Sequence, residues 1–308
     1  MSLTAAQPGA APAPGATQPS SAATPTTVDE PLPMPLPTWG ASEALRALDE
    51  ARIALAVHLP AAHVISALTT VVLRSGEHAV KVYPPGTDPT HLGRIATALA
   101  GSSSALLPVA PPVVTSWGVV SVAPWLAAAA PVDWAGTGAL LRAFHAEHAD
   151  ADVPLWDPLR RVVTQSRGLP EGAAAVLLHA REALLAELAG LRSPLGVGVV
   201  HGDLSPANAL TGEGRRPVLI DLDFAARAPL EYDLTSAARR ADAGEIDAAT
   251  YLAFCRAYGH DVRGWDGRVV LDAIADLGGV AFRLWDDRRA GRDLGWLDGA
   301  LARWRTPL

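Results

Sequence analysis

Lys81 is the only lysine among 25 lysines and arginines, and Asn208 is the only asparagine. A chain that writes arginine everywhere else has kept one compact ammonium, which a planar guanidinium cannot copy at a phosphate. It has also kept one neutral amide, which a carboxylate cannot replace beside other carboxylates. The amide stands in VVHGDLSPANAL, five residues after Asp203, and thirteen residues further on LIDLDFA supplies Asp221 and Asp223. Phosphoryl transfer asks of a protein a cation on the phosphates, a carboxylate to accept a hydroxyl proton, and oxygen ligands for magnesium. One lysine, three aspartates and one asparagine at these spacings are those parts. Asp221 ends the apolar run VLI, where a carboxylate needs a partner and a metal supplies one. Asp223 shares its face if the strand continues, as a second ligand or as an orienter of the loop.

The elements that must position these residues divide the chain in two. Residues 1–38 are rich in Ala, Pro and Thr, with too few large apolar side chains to offset the entropy of ordering them, and are expected to be a disordered tail. Met34 near its end is a candidate alternative start. From Ala41, Leu45, Leu48 and Ile53 follow helical spacing. The short β-branched runs AHVISA, TTVVLRS and HAVKVY predict three antiparallel strands, and a helix over 90–100, capped by Asp88 or Thr87, follows the turn cluster PPGTDP. PPVVTS and GVVSVAP around Trp117 predict a hairpin. Past Pro124 the pattern is helical, interrupted by one β region that carries HGDLSPAN and LIDLDFA. The expectation is an α+β chain of two lobes: a small antiparallel sheet over 39–124 and a larger helical lobe over 125–308, with the cleft between them as the site.

Composition narrows the function classes. The net charge of -7 and the lack of any long basic run argue against a nucleic-acid partner. No apolar run reaches the length that spans a bilayer, and the N-terminus lacks the pattern of a secretory signal, so no membrane partner is expected. A single cysteine, Cys255, cannot form an intrachain disulfide, and a cytoplasmic home is the default.

The strings HGDLSPAN at 201–208, LIDLDFA at 219–225, YDL at 232–234 and LLRAFHA at 140–146 resemble the aminoglycoside phosphotransferase and choline kinase-like family, and so does the strand that holds Lys81. The fold of that family is related to the protein kinases, and the resemblance runs over most of 60–290. It implies a protein-kinase-like fold and transfer from ATP or GTP to a hydroxyl of a small molecule, with an aminoglycoside or another amino sugar or amino alcohol among the candidate acceptors. It further implies that Asp203 is the base, that Asn208 and Asp221 hold Mg2+, and that Lys81 contacts the nucleotide phosphates; Asp223 stays a candidate metal ligand by its spacing alone. His201 is expected to bond the loop backbone, Asp233 to anchor backbone or cap a helix, and His145 to pack in the core. The connector around 122–126 is the expected hinge.

Two departures matter. The turn from Ser66 to Thr70 has no glycine, so the hydroxyls of Ser66 and Thr69 stand where a glycine-rich cover would approach the phosphates. The helix over 90–100 has no acid to pair with Lys81, a pair that protein kinases require. That gap supports an alternative, a non-catalytic nucleotide-binding regulatory protein. Fewer than ten residues separate Asp221 from the next helix, too few for a regulated activation segment, so the acceptor is expected to be small. A polycationic acceptor would need acids in the helical lobe. Glu231, Asp266, Asp272, Asp276, Asp286 and Asp287 are the candidates, most interleaved with arginines, which reads better as a solvated helix face.

Overall fold

A computed structural model of the chain describes residues 30–127, 129–212, 214 and 216–308. The first lobe opens with α1 (Ala41–Ala51) and continues through β1 (Ala62–Ala67), β2 (Val71–Ser75), β3 (His78–Tyr83), α2 (Pro89–Ala98), β4 (Val113–Thr115) and β5 (Gly118–Pro124). The strands form one antiparallel sheet in the order β1-β2-β3-β5-β4. Period-2 alternation in β3 sends Val80 and Val82 into a core with Leu73, Val120, Val122 and the Ala44, Ala47 and Leu48 face of α1. Ala79, Lys81 and Tyr83 are left on the opposite face, toward the second lobe. α1 ends one turn earlier than its apolar spacing suggests. Arg52 turns to the carbonyls of Leu59 and Pro60, and Ile53, expected on the buried face, is 90% exposed. The α2 N-terminus is capped by the Asp88 carboxylate, which accepts from Thr90 N at 2.8 Å.

The second lobe contains β6 (Ala130–Pro131), α3 (Trp134–Glu147), α4 (Arg160–Ser166), α5 (Glu171–Gly190), β7 (Val197–Val200), β8 (Ala209–Thr211), β9 (Val218–Leu219) and β10 (Ala226–Pro229). It then runs through α6 (Glu231–Asp242), α7 (Ala248–Tyr258), α8 (Arg268–Arg289) and α9 (Leu297–Trp304). Where one β region was expected the described residues hold five short strands, paired as β10-β7 and as β6-β8-β9. ANALT and ARAP carry too few β-branched residues to read as strands, and tertiary pairing makes them so. One apolar core joins α3, α6 and α7 to the strands through Phe144, Leu219, Leu234, Tyr251 and Phe254. A second joins α4, α5, α8 and α9 through Leu177, Leu184, Leu277 and Trp304. α3 and α7 approach so closely that a Cβ on Gly138 would meet the Phe254 carbonyl oxygen at 2.6 Å.

Two of the contacts that tie the lobes together lie outside the cleft. The Glu147 carboxylate at the end of α3 accepts from Ser103 N at 2.5 Å, Ser104 N at 3.1 Å and the Ser102 and Ser104 hydroxyls, in the loop after α2. Partial burial opposes its ionisation, but the Ser104 hydroxyl and the Ser103 N–H outweigh it and pull the carboxyl down to about 2. A depressed carboxylate stabilises the fold fully above its unfolded pKa of about 4.3, and that contribution disappears as pH falls toward the folded value. Glu147→Gln is therefore expected to lower the melting temperature at neutral pH and to lose part of the wild-type pH dependence below about pH 4.

The second tie corrects the expected tail. Residues 1–29 lie outside the described residues, but 30–38 lie against both lobes. Glu30 Oε1 accepts from Arg161 Nε at 3.1 Å, Asp88 N donates to the Pro31 carbonyl at 2.9 Å, and Trp285 Nε1 donates to the Pro35 carbonyl at 2.9 Å. Leu32 is buried among Tyr83, Leu92, Val119 and Phe224. The ordering entropy of so short and proline-rich a stretch is offset by one buried leucine and backbone bonds to existing surfaces, which a composition argument does not register. A chain begun at Met34 loses Glu30 and Leu32 and is expected to unfold more easily by about 2 kcal/mol, read from denaturant midpoints.

Candidate active site

The predicted residues converge where the lobes meet. β7 delivers the strand end at His201, and Gly202 then turns the chain at φ +85°. A Cβ there would meet the Phe224 carbonyl oxygen at 2.4 Å, so only glycine allows the two motif loops to pack. Asp203 follows, its carboxylate accessible on the floor of the cleft and without a hydrogen-bond partner among the described residues. Desolvation by the cleft walls, with the Asp221 charge beside it, raises its carboxyl above the ordinary aspartate range despite nearby Lys81.

A buried polar network holds this loop. Asp233, on the first turn of α6, accepts from His201 N at 2.7 Å and Gly202 N at 2.9 Å, and from His145 Nε2 at 3.0 Å. His145 Nδ1 accepts in turn from the Tyr258 hydroxyl at 2.8 Å. Burial opposes ionisation of Asp233, but the hydrogen bonds from His145 and from the His201 backbone outweigh it, and its carboxyl lies below the usual range. Asp233 thus anchors backbone, as read from the sequence. His145 does more than pack, because it positions the carboxylate that positions the loop. His201 accepts from Asp203 N at its Nδ1 (3.2 Å), so its Nε2 carries the proton donated to the Ile220 carbonyl at 2.8 Å.

Asn208 donates Nδ2 to the Asp203 carbonyl at 2.9 Å, and its own carbonyl accepts from Ile220 N at 2.9 Å, which sets it beside the Asp221 loop. Asp221 adopts the left-handed conformation at φ 62°, ψ 55°. Such backbone costs a non-glycine residue about 1–3 kcal/mol, and Asp tolerates it better than most. It aims the carboxylate across the cleft, where Lys81 Nζ donates to Asp221 Oδ1 and, at 2.6 Å, to Asp223 Oδ2. Burial alone would lower the ammonium, but the charges of Asp223 and Asp221 outweigh it and hold Lys81 above its ordinary value. Tyr83 completes the group by donating its hydroxyl to Asp223 Oδ1 at 2.7 Å.

The missing acid on α2 is thereby replaced. Asp223 has both oxygens engaged, by Lys81 and Tyr83, and with Asp221 supplies the acidic partner of Lys81 that α2 lacks. The signal was legible: Tyr83 and Lys81 lie two apart on one strand face, as Asp221 and Asp223 lie two apart in their loop. The remaining oxygens suit magnesium. Asp221 keeps Oδ2 outside the Lys81 pair, and the Asn208 amide, having given its N–H to Asp203, keeps Oδ1. No group of three or more His, Cys, Asp or Glu gathers in metal-holding geometry among the described residues. That pattern fits a cation held by one or two protein oxygens and completed by phosphates. When bound, the ion neutralises charge on the transferring phosphate.

Two cavities meet at the Lys81, Asp221 and Asp223 group. One, of about 360 Å³, lies between Ile65, Val72 and Ala79 of the sheet and Leu210 and Ile220 of the second lobe, with Ala123–Leu126 along its side. It is a flat apolar slot along the connector. Of the three tryptophans near the connector only Trp125 lines it, while Trp117 sits at the β4–β5 turn and Trp134 packs edge-on to Phe254. Val122, the first residue of the expected hinge, is a core residue whose carbonyl accepts from Val109 N. The other cavity, of about 710 Å³, contains Asp203, Ser66 and Thr69 and extends between α4 and α8. Ser66 and Thr69 therefore border this cavity and not the slot.

The sequence pattern of the APH phosphotransferase enzyme family matches residues 62–271. No curated protein matches the chain. Among solved structures, amicoumacin kinase hAmiN, crystallised with AMP-PNP, Ca2+ and Ami, superposes with a TM-score of 0.64 at 15% identity, over 84% of this chain and 91% of that one. A choline/ethanolamine kinase family protein from Mesorhizobium loti gives 0.56 at 20% identity, over 84% and 94%. Choline kinase LicA from Streptococcus pneumoniae gives 0.57 at 13% identity, over 84% and 95%. Similarities at these identities establish the two-lobed kinase-like fold. With the motif residues inside the matched span, the chain belongs to the APH phosphotransferase enzyme family and is a small-molecule kinase.

Proposed function

We propose that the chain transfers the terminal phosphate of ATP or GTP to a hydroxyl of a small molecule. The observation that carries this is the meeting of a flat apolar slot and a wider cavity at Lys81, Asp221 and Asp223, with the unpartnered Asp203 on the wider side. The base and sugar of the nucleotide occupy the slot, and its phosphates reach Lys81. Ser66 and Thr69 offer hydroxyls over the same phosphates. Asn208 and Asp221 hold Mg2+. The acceptor enters the wider cavity with its hydroxyl at Asp203. In the transfer the acceptor oxygen forms a bond to the γ-phosphorus, the bond from that phosphorus to the bridging oxygen breaks, the nucleoside diphosphate leaves, and the hydroxyl proton passes to the Asp203 carboxylate.

Related kinases crystallised with AMP-PNP or GDP support the nucleotide. The alternative of a non-catalytic nucleotide-binding protein drew on an unpartnered Lys81, and the Asp223 pair removes that ground. A cytoplasmic home, where nucleotide and magnesium are abundant, completes the reading; the one cysteine, Cys255, is buried and unpaired. No described helix is long and apolar enough to cross a membrane. A screen of hydroxylated amines, sugars and acids with γ-labelled ATP and GTP tests the proposal. Acceptor- and magnesium-dependent labelled product is expected. Label released only as free phosphate, with or without acceptor, would overturn it.

A further inference from the structure

The wider cavity also carries information about what it accepts. Its acidic lining is confined to Asp203, Asp221 and Asp223 at the transfer point and to Asp157, which is exposed at the rim. None of the six acids of the helical lobe lines it. Glu231 is buried and accepts from Ser193 Oγ and Leu195 N. Asp272 and Asp276 face Arg239, Arg268 and Arg303, and Asp286 and Asp287 face Arg283, Arg289 and Arg292. Asp266 lies on another surface. A polycation would find no row of carboxylates here.

It would find an arginine. Arg160 and Arg161 open α4, and both line the cavity. Arg161 is committed: it pairs with Glu30, donates to the Leu32 carbonyl at 3.2 Å and lies over the Phe224 ring. Arg160 makes no hydrogen bond or ion pair with any described residue. Burial and the charge of Arg161 work against its protonated form, and the carboxylates of Glu30 and Asp157 offset them only in part. A partly buried guanidinium with five donors and no acceptor is costly unless something outside the chain supplies the acceptor.

Between α4 and α8 the wall is largely apolar. The rings of Trp156 and Tyr232 meet at 4.3 Å between centroids, tilted by 47°. On α8, Ile274, Ala275, Gly278, Gly279 and Phe282 share the face that borders the cavity. Two adjacent glycines inside a 22-residue helix weaken it, and no close neighbour explains them, because no atom lies within 4 Å of where either Cβ would sit. They open space toward the cavity beside Phe282, which is 37% exposed.

We infer that the acceptor is a hydroxylated molecule with a flat apolar body and an anionic end of carboxylate type, not a polycation. The hydroxyl meets Asp203, the body lies between Gly278–Gly279 and the Trp156–Tyr232 pair, and the anion meets Arg160. This rests on the phosphotransferase reading above. The test compares three probes of one skeleton with the full chain and magnesium-nucleotide: para-(hydroxyethyl)benzoate, its methyl ester and para-(hydroxyethyl)benzylamine. The acid is expected to show a KM about tenfold or more below that of the ester, with the amine poorest. Arg160→Gln should erase the difference between acid and ester, and Arg160→Lys should restore part of it. Gly278→Ala/Gly279→Ala should raise the melting temperature while raising KM for the acid, a split that a purely structural role does not produce. Preference for the amine, equal KM for acid and ester, or transfer to none of the three while the broad screen finds another acceptor would overturn this inference alone. If the broad screen finds no acceptor, the phosphotransferase reading falls with it.

Discussion

Asp203→Ala is expected to lower kcat for transfer by about three orders of magnitude, the scale of a lost general base, while nucleotide binding and melting temperature hold. The reason lies in what its carboxylate does not do. The backbone of Asp203 is tied to the loop, its N–H to His201 Nδ1 and its carbonyl to the Asn208 amide, but its side chain supports nothing among the described residues. Lys81 is held by Asp221 and Asp223 and does not depend on it. Steady-state kinetics with the acceptor found in the screen, beside nucleotide titration by calorimetry, separate the two effects. Near-normal turnover in this variant would remove Asp203 from the base role. Asp203→Asn adds a control, since undiminished nucleotide hydrolysis would mark a water-activating enzyme instead.

Asp233→Ala is expected to act in the opposite way, through the fold. Its carboxylate is buried and takes three donors, two of them backbone N–H groups of the loop that carries Asp203. Alanine leaves His201 N, Gly202 N and His145 Nε2 without partners in a dry interior. Removing one member of such a buried network costs about 3–5 kcal/mol. Denaturant unfolding should show that loss, and transfer should fall with it because Gly202 and Asp203 lose their anchor. The pH dependence has a definite sign. A carboxyl held below its ordinary value stabilises the protein fully above the unfolded pKa of about 3.9, and this contribution drains away as pH falls through the lower folded value. The stability gap between wild type and Asp233→Ala should therefore narrow in strong acid.

Much of this was legible in the chain. Short β-branched runs bounded by turn residues located β1 to β5, and in β2 and α2 alternate or helically spaced apolar residues bury one face, which is what periodicity records. The motif loops were legible because magnesium and phosphate demand particular atoms that few residue types provide. The strands β8 and β10 were not, since their pairing partners, and not their own propensities, make them strands. Residues 30–38 were assigned to a tail because composition measures self-sufficiency, and this segment borrows its apolar surface from both lobes.

The return to Lys81 shows the division most clearly. The sequence by itself singled out one ammonium, one amide and three aspartates as the parts of a phosphate-transfer site, because rarity and spacing are properties of the chain. Only the tertiary structure decided who holds whom: that Asp221 and Asp223 give Lys81 the acidic partners α2 lacks, that Tyr83 bonds Asp223, that His145 stands behind Asp233, and that Arg160 lines the wider cavity without a hydrogen bond or ion pair to a described residue. Charge pairing depends on distances of a few ångströms between residues as much as 142 positions apart, and no local pattern encodes those distances.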